Sequence, residues 1–133
     1  MKIGTRMPPF GREMGFDGYA EWLAENGFGA VDAPYMNREI ARTCERLGLA
    51  IGSTDGGGSV LSRDAATRRK GLSEYKKCLS AIARYGGRTL FVILGPDDPS
   101  MPRAETFAIF KKVYPKVVAH AEKVGVNIAI EPY

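Results

Sequence analysis

Histidine is almost missing from this chain: its 133 residues include one, His120, alongside one tryptophan and two cysteines. A single histidine cannot build a histidine-based metal cluster. Cys44 and Cys78 are too few and too far apart for a disulfide framework or a zinc knuckle, so both read as reduced residues on helices. Long apolar runs are missing too, and none approaches the roughly 20 residues a membrane helix needs. The opening Met1-Lys2-Ile3-Gly4-Thr5-Arg6 lacks the apolar stretch of about 7–15 residues that marks a signal peptide. A cytoplasmic protein with no membrane partner is the expectation. Strong charge of one sign is also lacking: 19 Lys and Arg against 15 Asp and Glu leave +4. The basic clusters Arg68-Arg69-Lys70, Lys76-Lys77 and Lys111-Lys112 lie in segments of helical period, where they read as solvated outer faces. No aromatic residues interleave with them to stack bases, so nucleic acid is not an expected partner.

What is present is a globular composition, 44% hydrophobic and 26% charged, at a length that predicts one domain over residues 1–133. A short apolar run followed by a longer amphipathic stretch recurs along the chain, the alternation of a parallel α/β sheet with crossover helices. Five runs predict strands at Ile3–Met7, Ala30–Ala33, Ala50–Ser53, Thr89–Leu94 and Asn127–Ile130. Leu90-Phe91-Val92-Ile93-Leu94 is continuously apolar, as strands buried on both faces are. Asp17 is a plausible cap for a first helix ending near Gly27, and Asn37 for a second that buries Ile40, Cys44 and Leu47 and stops at Gly48. A third helix from about Asp64 to Tyr85 puts Leu72, Tyr75, Leu79 and Ile82 on one stripe. A fourth, from about Arg103 to Val124, lines Phe107, Phe110, Val113, Val117 and Ala121 inward, and Pro115 must kink or split it.

Loops after the strands are longer and carry more unusual residues than loops after the helices. Pro8-Pro9-Phe10-Gly11-Arg12, Thr54-Asp55-Gly56-Gly57-Gly58-Ser59 and Gly95-Pro96-Asp97-Asp98-Pro99 contrast with tight turns such as Gly125-Val126. Ligands bind at the carboxyl ends of strands in closed barrels and open α/β sheets alike. The last residues, Ile130-Glu131-Pro132-Tyr133, follow directly on the fifth strand, and a (β/α)₈ barrel takes about 250 residues. Either the five strands form a self-sufficient open sheet, or the chain is the N-terminal part of a longer one.

Ala121-Glu122-Lys123-Val124-Gly125-Val126-Asn127-Ile128-Ala129-Ile130-Glu131-Pro132 resembles the segment that ends the fourth helix and forms the fifth strand of the sugar phosphate isomerase/epimerase family, the xylose isomerase-like TIM barrels. Trp22-Leu23-Ala24-Glu25-Asn26-Gly27-Phe28-Gly29-Ala30-Val31-Asp32 is similar to that family's first helix and second strand, with Asp32 where the family usually has glutamate. Leu47-Gly48-Leu49-Ala50-Ile51 resembles the entry to its third strand. The resemblance spans nearly the whole chain. It implies four βα units plus a fifth strand of a TIM barrel, a small-molecule sugar substrate, and a divalent metal (Mn, Mg, Co or Zn) in the full-length protein. It also implies that Glu131 is a metal ligand and proton-transfer base, with three further ligands on strands beyond Tyr133. One carboxylate alone does not hold a divalent ion, so these residues by themselves are expected to bind none tightly and to lack the activity.

Other positions have two readings each. Asp32, at the end of the second strand, faces a sugar hydroxyl or caps the following loop. Asp55, before the triple glycine, belongs to an anion-binding stretch or to a flexible lid, and the lid is favoured because the Gly-Lys-Ser/Thr of a P-loop is missing. Phe10 covers a bound sugar or joins the core. His120 reads as a helix-surface residue. An endonuclease IV-like reading of the same barrel is disfavoured, since Leu94-Gly95-Pro96 stands where His-Pro-Gly would be expected. Two non-catalytic alternatives remain: a flavodoxin-like α/β binding domain, and a half-barrel that pairs with its own copy as a homo-oligomer.

Overall fold

A computed structural model describes residues 2–132. Its elements run β1 (Gly4–Arg6), α1 (Pro9–Glu25), β2 (Ala30–Ala33), α2 (Arg38–Leu47), β3 (Ala50–Asp55), α3 (Ala65–Arg84), β4 (Thr89–Leu94), α4 (Arg103–Val113), α5 (Pro115–Val124) and β5 (Asn127–Pro132). All four strand pairs are parallel and the order is β1-β2-β3-β4-β5. Consecutive order with right-handed crossovers places every helix on one face, the arrangement of a partial TIM barrel, and the sheet is not closed. The flavodoxin-like alternative needs order 2-1-3-4-5 and is overturned.

Alternation along the strands identifies the two faces. Val31, Ala33, Thr54, Leu90 and Val92 are buried against the helices, together with Tyr19, Leu23, Tyr75, Leu79, Ile82 and Val117. Their neighbours Asp32, Asp55, Phe91 and Ile93 point to the opposite, open face. The expectation that β4 is buried on both faces fails there: Ile93 is 50% exposed.

Local signals behave as their chemistry dictates at most element ends. The Ile40 N–H donates to Asn37 Oδ1 at 2.9 Å, capping α2, and Gly48 ends that helix with φ 67°, a conformation costly for any residue with a Cβ. Asp64 caps α3 through the Thr67 N–H at 2.6 Å. Pro115 splits the predicted fourth helix and becomes the first residue of α5, where its missing N–H costs nothing.

Three expectations need correction. The first helix begins at Pro9 and bends at Gly15, φ 72° and ψ 169°, so Asp17 lies inside it; instead of capping, Asp17 Oδ1 accepts from the Thr43 hydroxyl of α2 at 2.6 Å. β3 runs on through Asp55 and β5 through Pro132, while β1 is shorter than predicted. Phe107 is 57% exposed rather than inward; its ring stacks on Phe110, which stacks in turn on Tyr114.

Candidate active site

The carboxyl ends of the strands carry the polar residues of the open face. Register sets Arg6 opposite Asp32, Asp55 opposite Phe91 and Ile93 opposite Glu131. Arg6, Asp32, Asp55 and Glu131 therefore share one face at one end of the sheet, across β1, β2, β3 and β5.

Asp32 occupies a break in the β2–β3 ladder, where the register shifts between Val31 and Ala33. Its Oδ1 accepts from the Ser53 N–H at 2.6 Å, satisfying a donor that the irregular pairing would orphan. Gly52 makes room for it, since a Cβ there would stand 2.5 Å from the same oxygen. Asp55, the last residue of β3, accepts from Arg6 Nη2 at 2.8 Å. The Arg6 guanidinium also lies 4.9 Å from the centroid of the Phe91 ring. The arginine side chain thus crosses the open face from β1 over β2 to reach β3 and β4. Beneath it, the Tyr19 hydroxyl donates to the Arg6 carbonyl at 3.2 Å. Arg6, Met7, Arg12, Asp32, Pro34 and Asp55 enclose a pocket of about 200 Å³.

The triple glycine lines a second recess of about 510 Å³, together with Tyr75, Ile93 and Asp97. This stretch packs closely on the helix that follows it. A Cβ at Gly56 would collide with Cys78 Sγ, and one at Gly58 would lie 2.6 Å from the Gly71 carbonyl oxygen. The glycines let the loop lie directly on α3. Under it the Tyr75 and Tyr114 rings meet edge to face at 6.1 Å, and burial pushes the Tyr114 hydroxyl up to about 12 and Tyr75 higher still. A charged clamp ties the neighbouring loops to α4: Arg63 donates twice to Glu105, at 2.8 Å each, and once to Asp98 at 2.5 Å. The Ser100 hydroxyl and N–H hold the Asp98 carboxyl below its ordinary range, and Arg63 does the same for Glu105.

Of the positions singled out in the sequence, Asp32, Asp55 and Glu131 are brought to one face, with Asp32 and Asp55 in one pocket. Phe10 is not brought there; it sits in the first turn of α1, edge-on to Tyr19 and Trp22 at 6.2 and 5.7 Å. His120 lies between α5 and α3, its Nε2 2.9 Å from Ser80 Oγ. Sequence reasoning missed Arg6 and Phe91. Their period-two relation to Gly4 and Ile93 was the available signal, but the Arg6–Asp55 pairing spans 49 residues.

Among the described residues no three His, Cys, Asp or Glu side chains come together as a metal site. A hard divalent cation takes about six oxygen ligands, so this donor set does not by itself fit the metal that the resemblance implies.

The sequence profile of the xylose isomerase-like TIM barrel family matches residues 10–133. The chain belongs to that family. Several solved structures superpose closely on the chain. 3-keto-D-glucoside 4-epimerase from E. coli, in its apo form, gives a TM-score of 0.80 at 20% identity, over 99% of this chain and 56% of its own. A D-psicose 3-epimerase determined in the presence of D-fructose gives 0.77 at 23%, over 98% and 52%. A sugar phosphate isomerase/epimerase from Parabacteroides distasonis gives 0.75 at 14%, over 99% and 51%. At these identities the likeness is one of fold. The chain spans about half the length of these structures. No curated protein sequence matches it.

Proposed function

We propose that residues 1–133 are the N-terminal part of a cytoplasmic, metal-dependent isomerase or epimerase that acts on a sugar or sugar phosphate by proton transfer through an enediolate. The observation that carries this reading is the placement of Glu131. It stands at the carboxyl end of β5, on the open face that also holds Asp32 and Asp55, in a chain of the xylose isomerase-like family. The names of the superposed structures, two sugar epimerases and a sugar phosphate isomerase/epimerase, support the substrate class.

A carboxylate there can take the proton from the carbon beside a ketose carbonyl and return it, the work of a general base. Asp32 and Asp55 bind and orient hydroxyls at the opposite side of the face. A divalent metal would make the enediolate easier to form; Glu131 is the one ligand this chain offers it, and the others belong to strands outside these residues.

The test is Glu131→Gln in the whole enzyme, which keeps shape and removes charge and basicity. Deuterium uptake from D₂O into D-fructose, at the carbon next to the carbonyl, should fall by about 10²–10⁴-fold, the usual contribution of a positioned base. Uptake at the unsubstituted rate overturns the assignment.

A further inference from the structure

The Arg6 pocket sets two arginines, which no step above uses, beside Asp32 and Asp55. Two guanidinium groups, Arg6 and Arg12, and two carboxylates, Asp32 and Asp55, line about 200 Å³. Their formal charges cancel within the pocket. Arg6 is also pre-set: Asp55 holds one end of the guanidinium at 2.8 Å and the Phe91 ring supports its plane at 4.9 Å. An arginine held by a carboxylate and an aromatic face gives up little further freedom when it binds, and most of its five N–H donors remain to be used.

We propose that Arg6, clamped by Asp55 and Phe91, is a specificity-determining residue that binds adjacent hydroxyls of an uncharged sugar and disfavours a phosphate group at this end of the site. The inference rests on the reading of the chain as a sugar isomerase or epimerase and narrows its substrate class.

Two independent features carry it. The first is the mixed donor and acceptor set. A pair of neighbouring hydroxyls offers both O–H donors and oxygen acceptors, which match a carboxylate beside a guanidinium. A phosphate dianion offers acceptors alone, so it would compete with Asp55 for Arg6 and face the like charge of Asp32, an arrangement that costs affinity. The second is the helix that starts at this pocket. A helix N-terminus binds phosphate through its free N–H groups, but α1 is entered through Pro8 at its cap and Pro9 in its first turn, neither of which has an N–H. The Gly11 and Arg12 N–H groups turn back to the Pro8 carbonyl, at 3.0 and 3.3 Å. Of the donors that would cradle a phosphate, the prolines remove two and the turn engages two more, which leaves the Phe10 N–H alone, too few to cradle a phosphate.

The experiment is a titration of the whole enzyme with D-fructose, D-fructose 6-phosphate and inorganic phosphate, reading the Arg6 side-chain Nε–H signal by ¹⁵N-edited NMR. D-fructose should move that signal and bind more tightly than either phosphate-bearing probe. Arg6→Gln should weaken D-fructose binding about tenfold, the loss expected for hydrogen bonds to a charged group. Asp55→Asn removes one negative charge and frees Arg6, so it should shift the preference between the two sugars about tenfold toward the phosphate ester. A merely structural role for the pair would weaken both sugars alike. Tighter binding of either phosphate-bearing probe by the unsubstituted chain overturns the proposal, as does an Arg6 signal that no sugar moves. An Asp55→Asn ratio equal to the original also overturns it. The Arg6 signal reports binding, and deuterium uptake reports turnover. A chain that takes D-fructose at Arg6 but shows no loss of deuterium uptake in the Glu131→Gln enzyme therefore overturns the role of Glu131 alone, and the reverse result overturns the role of Arg6 alone.

Discussion

Gly71→Ala tests whether the glycine loop is seated on α3 as described. Gly71 is buried in the middle of α3, and a Cβ built on it would lie 2.6 Å from Ser59 C, 2.7 Å from Ser59 O and 2.8 Å from Ser59 N. Two effects oppose each other. Alanine in a helix interior is favoured over glycine by about 0.8–1.0 kcal/mol. Forcing a methyl group into a filled contact costs typically about 1–3 kcal/mol, and here the opposing atoms are backbone, which cannot swing aside as a side chain can. The upper part of that range applies, leaving a net loss of about 1–2 kcal/mol. For a chain of this length that is a fall in Tm of about 3–10 °C. Gly18→Ala in α1 is the control, because its Cβ would meet only Met14 Cβ, at an ordinary 3.5 Å. There propensity acts alone, and stability should rise by up to about 1 kcal/mol. Chemical unfolding of the three proteins measures both changes. A Gly71→Ala chain as stable as the original, or more so, would refute the close approach, and with it the seating of the loop that lines the larger recess.

Two further outcomes follow from the same contacts. Asn37→Ala removes the side-chain cap on the Ile40 N–H and should cost about 1 kcal/mol, read as a lower denaturant midpoint with an unchanged slope. In alkali, burial holds Tyr75 and Tyr114 in their neutral forms, the latter up to about 12. The unfolded chain loses those protons near pH 10 while the folded chain keeps them, so stability is intact below about pH 10 and falls as pH rises beyond it. An ultraviolet titration should show these two of the six tyrosines ionising last.

The fold was legible because its determinants are local. Asn37, Asp64, Gly48 and Pro115 act within one helical turn of where they stand, and the apolar runs mark each strand. What escaped was set by distance or by face. Asp17 reads as a cap in its own segment, yet its partner is Thr43 on the next helix. Ile93 sits in a run that looks doubly buried, but which side of β4 faces helices depends on the path of the whole chain. The site divides in the same way. Glu131, Asp32 and Asp55 stand at strand ends and could be found by position, whereas Arg6 gains its meaning from Asp55 and Phe91, partners that no window of sequence contains.

The open face ties the fold to the proposed chemistry. All-parallel sheets are stable when both faces are covered, and here helices cover one. On the other, Ile93 is half exposed beside Glu131, and β5 presents a free edge that would template pairing with another strand. Continuing the same parallel order around to β1 would answer both demands, burying Ile93 in a barrel interior and pairing the β5 edge. It would also enclose Arg6, Asp55 and Glu131 at one mouth. Enclosure matters for function because a proton abstracted beside a carbonyl must be kept from bulk water, and charges such as the Arg6–Asp55 pair act more strongly once water is excluded. Such a closure would bring Glu131 into one enclosed site with the Arg6–Asp55 pair.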